Sequence, residues 1–154
     1  MKLIIATAMA MSIASGSVFA KEAQSEKQAN DALEFRQSVF KLVKSNVGAL
    51  GGMARGKIPF DAAVVEKNAT RLTQLSKMVP DYFALNTSKF SLETEALPKI
   101  WANMDDFTSK ANNFHMASKA LLEAAKTGEE GTSKKAIGDL FKTCKSCHDE
   151  YKQD

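Results

Sequence analysis

The chain is poor in the residues that most often carry covalent cross-links or metals. Its 154 residues include two cysteines, two histidines, one tryptophan and three prolines. Apolar/polar alternation of the kind that marks strands is missing, so a sheet protein is disfavoured. No basic run with interleaved aromatics occurs, which leaves nucleic-acid binding without a footprint. The formal charge is only +3, with both signs interspersed, and it points to no partner. No acid/base pair and no nucleophilic triad can be picked out, so the chain does not read as an enzyme. Repeats and low-complexity stretches are lacking too.

What is present begins with an export signal. Lys2 supplies a positive start, residues 3–13 are apolar, and Val18-Phe19-Ala20 sets small or aliphatic side chains at the −3 and −1 positions of a cleavage site. The apolar run is too short to span a bilayer. Residues 1–20 are therefore expected to be removed as a signal peptide, leaving one domain over residues 21–154. The removed segment holds one lysine and no acid, so the charge falls to +2. Export implies an oxidising compartment, taken to be the periplasm, where free thiols seldom persist.

The rest reads as helix, in four segments with apolar residues at 3–4 spacing. The first covers about 30–50, capped by Asn30-Asp31, with Ala32, Phe35, Val39, Leu42, Asn46 and Leu50 on one stripe and Phe40, Val43 and Val47 beside it; Gly51-Gly52 ends it. The second starts at a capping Asp61, turns Ala62, Val65, Ala69, Leu72, Leu75 and Val79 inward and stops at Pro80. A connector over 80–94 with Tyr82, Phe83 and Phe90 is too aromatic to be a free linker. The third begins near Pro98, carries Leu97, Ile100 or Trp101, Met104, Phe107, Ala111, Phe114, Ser118, Leu121 and Ala125, and ends at Gly128. The fourth covers about 132–152. Four such helices with three connections predict an all-α, antiparallel up-down-up-down four-helix bundle.

The two cysteines fall in Cys144-Lys145-Ser146-Cys147-His148, the C-x-x-C-H signature of c-type haem attachment. Helix positions i, i+3 and i+4 share a face. Two thiols there can add to two vinyl groups of one porphyrin, and the adjacent imidazole then lies beneath the iron. A thioredoxin-type pair belongs to a strand–helix context, and a structural zinc site needs four ligands. A plain disulfide is the remaining alternative. The sequence thus predicts one covalent haem c on Cys144 and Cys147, with His148 as the axial metal ligand.

The sixth position on such an iron decides between a low-spin carrier and an open site. Helix rise puts His115 about 15 Å beyond Met104, which makes it a surface or packing histidine; Met53 and Met116 are too far by the same test. Met78 and Met104 lie at the haem end but read as core fillers. The first helix faces the haem with neither Met nor His. Phe40, one turn after Arg36, predicts an iron without a strong sixth ligand, shielded by an aromatic ring.

Four stretches carry a family likeness: Arg36-Gln37-Ser38-Val39-Phe40, Gly56-Lys57-Ile58-Pro59-Phe60-Asp61, Glu95-Ala96-Leu97-Pro98-Lys99-Ile100-Trp101, and Cys144 to His148. Over about 31–154 the chain resembles cytochrome c prime, a class II c-type cytochrome. The resemblance implies a five-coordinate, high-spin haem that binds NO and CO and discriminates against dioxygen. It also implies that Arg36 and Gln37 contact the haem edge or propionates, that Glu95 lies near the haem, and that Phe40 takes a distal position often held by Met or Leu. Lys152 stands where many members have Arg. A role in NO binding or protection follows from the likeness, with electron transfer to a redox protein as the alternative. Homodimers through the first two helices are common among such proteins, and Gly48, Ala49, Gly51 and Gly52 would permit close approach there.

Overall fold

The computed structural model describes residues 20–153. The expected signal peptide therefore lies almost wholly outside the described residues. Four long helices form an antiparallel up-down-up-down bundle: α1 (Glu26–Ala54), α2 (Ala62–Phe83), α4 (Met104–Lys126) and α5 (Glu130–Tyr151), with a one-turn α3 (Lys99–Ala102) ahead of α4. Among the described residues, no helix is long and apolar enough to cross a membrane.

Several local expectations are corrected. The cap of α1 is Ser25, whose Oγ accepts from the Gln28 amide at 3.2 Å. Asn30 and Asp31 lie inside the helix, Asp31 in an ion pair with Lys27. The helix also runs through Gly51 and Gly52 to Ala54, because both glycines pack against neighbours rather than turn. Asp61 caps α2 as expected, accepting from the Val64 amide at 3.0 Å. Pro80 does not stop α2, which continues to Phe83. A proline so near the end removes a single ladder bond, and burial of Val79 and Phe83 offsets it. The third segment is broken at Asn103 (φ −134°, ψ 48°), whose side chain donates to the Lys99 carbonyl, a local competition typical of Asn. The chain is also not wholly helical. Strand β1 (Lys21–Glu22) pairs in parallel with β2 (Leu85–Asn86), a ladder too short for alternation to reveal.

The stripe of α1 is rotated from the expected one. Leu33, Arg36, Val39, Val43, Asn46, Leu50 and Met53 are buried, whereas Phe35 and Leu42 are each 54% exposed. The true stripe is masked in the sequence because one of its positions holds Arg36; Asn46 is buried as expected. On α2 and α4 the expected inward residues from Val65 to Val79 and from Phe107 to Ala125 are buried. Gly128, at φ 73°, lets the chain turn from α4 into α5.

Two apolar clusters result. The larger fills the bundle with Val39, Val43, Leu50, Leu72, Phe114, Leu121, Ile137 and Leu140 among its members. The smaller gathers Val79, Phe83, Ile100, Phe107, Ala111 and Tyr151 at the end where α2 finishes and α5 stops, and Cys147 packs against it.

Candidate functional site

Cys144, Cys147 and His148 lie on α5 within its last two turns. Both thiols are free and half-buried. Burial pushes each thiol's pKa up, which keeps the sulfurs protonated at neutral pH. His148 is exposed, and partial desolvation, then the Lys152 ammonium, lowers its pKa. The imidazole is thus held neutral, the form in which a ring nitrogen can ligate a metal.

Phe40 approaches the same end of the bundle from α1. It is 40% exposed, and its ring meets Phe83 edge-on at 6.3 Å. Phe83 touches Phe107 at 4.8 Å, and Phe107 meets Tyr151 at 5.5 Å. Phe40 and Cys147 therefore abut one aromatic cluster from two sides. Farther along, α1 and α5 close together: a Cβ built on Gly51 would stand 3.3 Å from Phe141 Cζ.

Arg36 is buried at 4% exposure. Its Nε donates to the Tyr82 carbonyl at 2.8 Å, and its two terminal nitrogens donate to Thr87 Oγ1 at 2.9 Å and the Leu85 carbonyl at 2.5 Å. The guanidinium also lies 4.8 Å over Phe83 and 5.1 Å over Trp101. It thus ties the end of α2 and the following connector to α1. Five N–H donors minus these three leaves two for a further acceptor. Gln37 Nε2 reaches the Glu93 carbonyl at 3.4 Å.

Glu95 pairs with Lys152 at 3.1 Å. Its carbonyl accepts from the Gln153 amide at 2.7 Å, and the Leu97 amide donates to the Tyr151 carbonyl. The connector is thereby latched to the end of α5, one turn from His148. His115 bonds Ser76 Oγ at 3.0 Å between α2 and α4, a packing role as expected. Met104 is half-buried beside the smaller cluster, but Met78 is 37% exposed and does not fill core.

Reasoning from sequence missed the partners of Arg36 and the pinch at Gly51. The first could have been suspected from the polar Thr87 in an aromatic connector; the second has no signal beyond the glycine itself.

The donor set suits a haem. Two protonated thiols and a neutral imidazole share the end of one helix, beside an apolar aromatic wall and a partly bare phenylalanine. A helical bundle with this set defines a bundle-type c-type cytochrome.

Comparison with known proteins agrees. The family model described as cytochrome C' matches residues 31–152, and the chain belongs to the cytochrome c' family. It is 39% identical over 123 residues to the cytochrome c' of Rubrivivax gelatinosus, covering 80% of this chain and 95% of that one. The solved cytochrome c prime of Shewanella frigidimarina is 40% identical with a TM-score of 0.76, covering 84% of this chain and all of that one. A nitric oxide complex of a variant cytochrome c prime from Alcaligenes xylosoxidans has a TM-score of 0.72 at 30% identity, covering 88% and 99%. Membership brings the family's covalently attached haem c.

Proposed function

We propose that this chain is an exported mono-haem cytochrome whose five-coordinate, high-spin iron binds NO and CO, with NO binding and protection as its role. Cys144 and Cys147 would hold the haem through two thioether bonds, each thiol adding S–H across a vinyl group, and His148 would be the protein ligand to its iron. Phe40 on α1 would shield the iron. The haem supplies a metal centre that takes a diatomic ligand. The chain excludes other ligands and fixes the polarity of the pocket.

The observation that carries this reading is the contrast between the two helices. The last turns of α5 offer two thiols and an imidazole, whereas Phe40 on α1 offers only an aromatic ring against Phe83. A phenyl ring has no hydrogen-bond donor. Bound dioxygen is polar and gains from a donor, while NO and CO need it less. The spare donors of Arg36, with Gln37 beside it, are available to propionate oxygens, since a guanidinium pairs well with carboxylates. Glu95 acts at the same end, through its latch to Lys152, one turn from His148. Cleavage after Ala20 and residence in the periplasm accord with a pair of thiols consumed by haem rather than by a disulfide. Two copies pair through α1 and α2, where Phe35 and Leu42 are exposed; Gly51 and Gly52 face partners within the chain, so only Gly48 and Ala49 remain to admit a second copy.

The test is the absorption spectrum of the ferrous protein before and after CO. A broad Soret band that sharpens and intensifies with CO is expected. A sharp low-spin spectrum unmoved by CO would mean that another group occupies the sixth position and that the protein is an electron carrier.

A further inference from the structure

Tyr151 stands out among the aromatic residues. Its ring is only 4% exposed, yet its hydroxyl donates to Asp106 Oδ2 at 2.6 Å. That carboxylate is 57% exposed and has Lys110 at 3.9 Å. A buried phenol is thus joined by a short hydrogen bond to a base that faces water. Tyr151 also follows Cys147 by four residues on α5, and both pack in one cluster. Residues so spaced share a helix face, so the phenol lies next to a haem-attachment position.

A phenol gives up an electron readily only if its proton can leave together with it. Asp106 provides that exit. The other oxidisable ring near the site is less suited. Trp101 has the Arg36 cation 5.1 Å over it, which opposes loss of an electron, and its indole N–H bonds the Phe83 carbonyl, a far weaker base than a carboxylate. Lys99 lies 6.0 Å from the Tyr151 ring, but it is ion-paired with Glu150. The phenylalanines between these groups are too hard to oxidise.

We propose that Tyr151 and Asp106 form a proton-coupled electron donor to the haem, which draws oxidising equivalents from hydrogen peroxide out to the protein. The inference rests on haem attachment at Cys144 and Cys147. In the ferrous protein, one peroxide takes two electrons and two protons as its O–O bond breaks, giving two waters. One electron comes from the iron, which becomes ferric. The other comes from Tyr151 as its O–H bond breaks. The phenolic proton passes to Asp106 and through solvent to one peroxide oxygen, and the second proton comes from a water, which is left as hydroxide. A neutral tyrosyl radical remains at Tyr151, away from the porphyrin.

The experiment is rapid-freeze electron paramagnetic resonance of the ferrous holoprotein after one equivalent of hydrogen peroxide. Intact mass and a haemochrome assay first confirm covalent haem, so a failure of the attachment reading appears there and takes the proposal with it. With haem attached, a tyrosyl signal is expected that changes shape in protein grown on ring-deuterated tyrosine. The chain has two tyrosines, which makes assignment simple. Tyr151→Phe abolishes the signal and Tyr82→Phe keeps it. Asp106→Asn, an exposed change that leaves the ring in place, slows radical formation at least tenfold and alters its solvent isotope effect. A signal retained in Tyr151→Phe, lost in Tyr82→Phe, or formed at an unchanged rate in Asp106→Asn overturns the proposal. Absence of any tyrosyl signal in the wild-type holoprotein also overturns it.

Discussion

Gly51 on α1 lies against Phe141 on α5, so close that a Cβ at position 51 would stand 3.3 Å from the ring. This contact fixes where the two helices touch. Because α1 and α5 run antiparallel, residues before Gly51 on α1 face residues after Phe141 on α5. With Gly51 opposite Phe141, Lys44 to Gly48 oppose the stretch that carries Cys144 to His148, and Phe40 lies one turn farther along α1. The pinch at one end of the helix pair sets the geometry of the site at the other.

Replacing Gly51 by Leu should therefore destabilise the protein by about 1–3 kcal/mol, the usual cost of overpacking. Gly48 is the control, because a Cβ there meets nothing within 4 Å. Gly48→Ala should stabilise by about 0.5–1 kcal/mol, through helix propensity alone. Urea unfolding of both variants checks the pair. If Gly51→Leu unfolds at the wild-type midpoint, the helices do not meet closely there.

Arg36 is the second determinant of the site. Burial lowers its pKa to about 10, an electrostatic cost that the three acceptors offset. Arg36→Met leaves the Tyr82 and Leu85 carbonyls without their donor, at on the order of 1–3 kcal/mol each. Arg36→Lys should recover only part of this, because an ammonium lacks the fork that reaches three acceptors. Thr87→Val removes one acceptor and should cost less than either. Denaturant midpoints that rank Thr87→Val, Arg36→Lys and Arg36→Met in order of increasing loss are expected; a wild-type midpoint for Arg36→Lys would remove the fork from the argument.

The bundle and the attachment motif were legible in the sequence for different reasons. Helical periodicity is strong on α2 and α4, where nearly every inward position is apolar, and C-x-x-C-H is short and specific. The face of α1 was only partly legible: Val39, Asn46 and Leu50 were placed correctly, but a buried arginine interrupts the stripe while Phe35 and Leu42 mimic one on the outside. The break at Asn103 comes from a local side-chain bond to the Lys99 carbonyl that helical periodicity does not register, whereas the passage of α2 through Pro80 and the β1–β2 pairing are set by tertiary contacts that no local pattern encodes. The partners of Arg36 were illegible for the same cause: two of the three are backbone carbonyls, and any residue has one.

Asp139 offers a test by pH. Hydrogen bonds from Lys142 and Lys135, at 2.8 and 2.9 Å, lower its pKa to about 2 from the ordinary 3.8. A depressed carboxylate stabilises the fold above its unfolded pKa and loses that contribution as pH falls through the folded value. The loss should therefore fall between about pH 4 and pH 2. Carboxyl-detected NMR titration checks it. Lys142→Ala should raise the Asp139 pKa, and so should molar salt, since the group is exposed and screened. A titration that neither change moves would mean that the ion pairs do not form in solution.

Phe40→Ala addresses the proposed function most directly. The Phe40 ring meets Phe83 edge-on, and Phe83 belongs to the smaller apolar cluster. Truncating it removes bulk from the proposed path to the iron without deleting a hydrogen bond or a charge. Phe83 keeps its contacts with Phe107 and with the Arg36 guanidinium, so the wall behind the ring should persist. CO and NO association should then accelerate, by roughly tenfold if the ring contributes about 1.4 kcal/mol to the entry barrier. Flash photolysis measures this, and the spectrum of the ligand-free ferrous protein reports the spin state. Faster association with an unchanged high-spin spectrum would mean that Phe40 gates an already open site. Unchanged rates would sink the shielding role. A shift to a low-spin spectrum would mean that the ring normally keeps a competing ligand away, with half-buried Met104 the first candidate to examine.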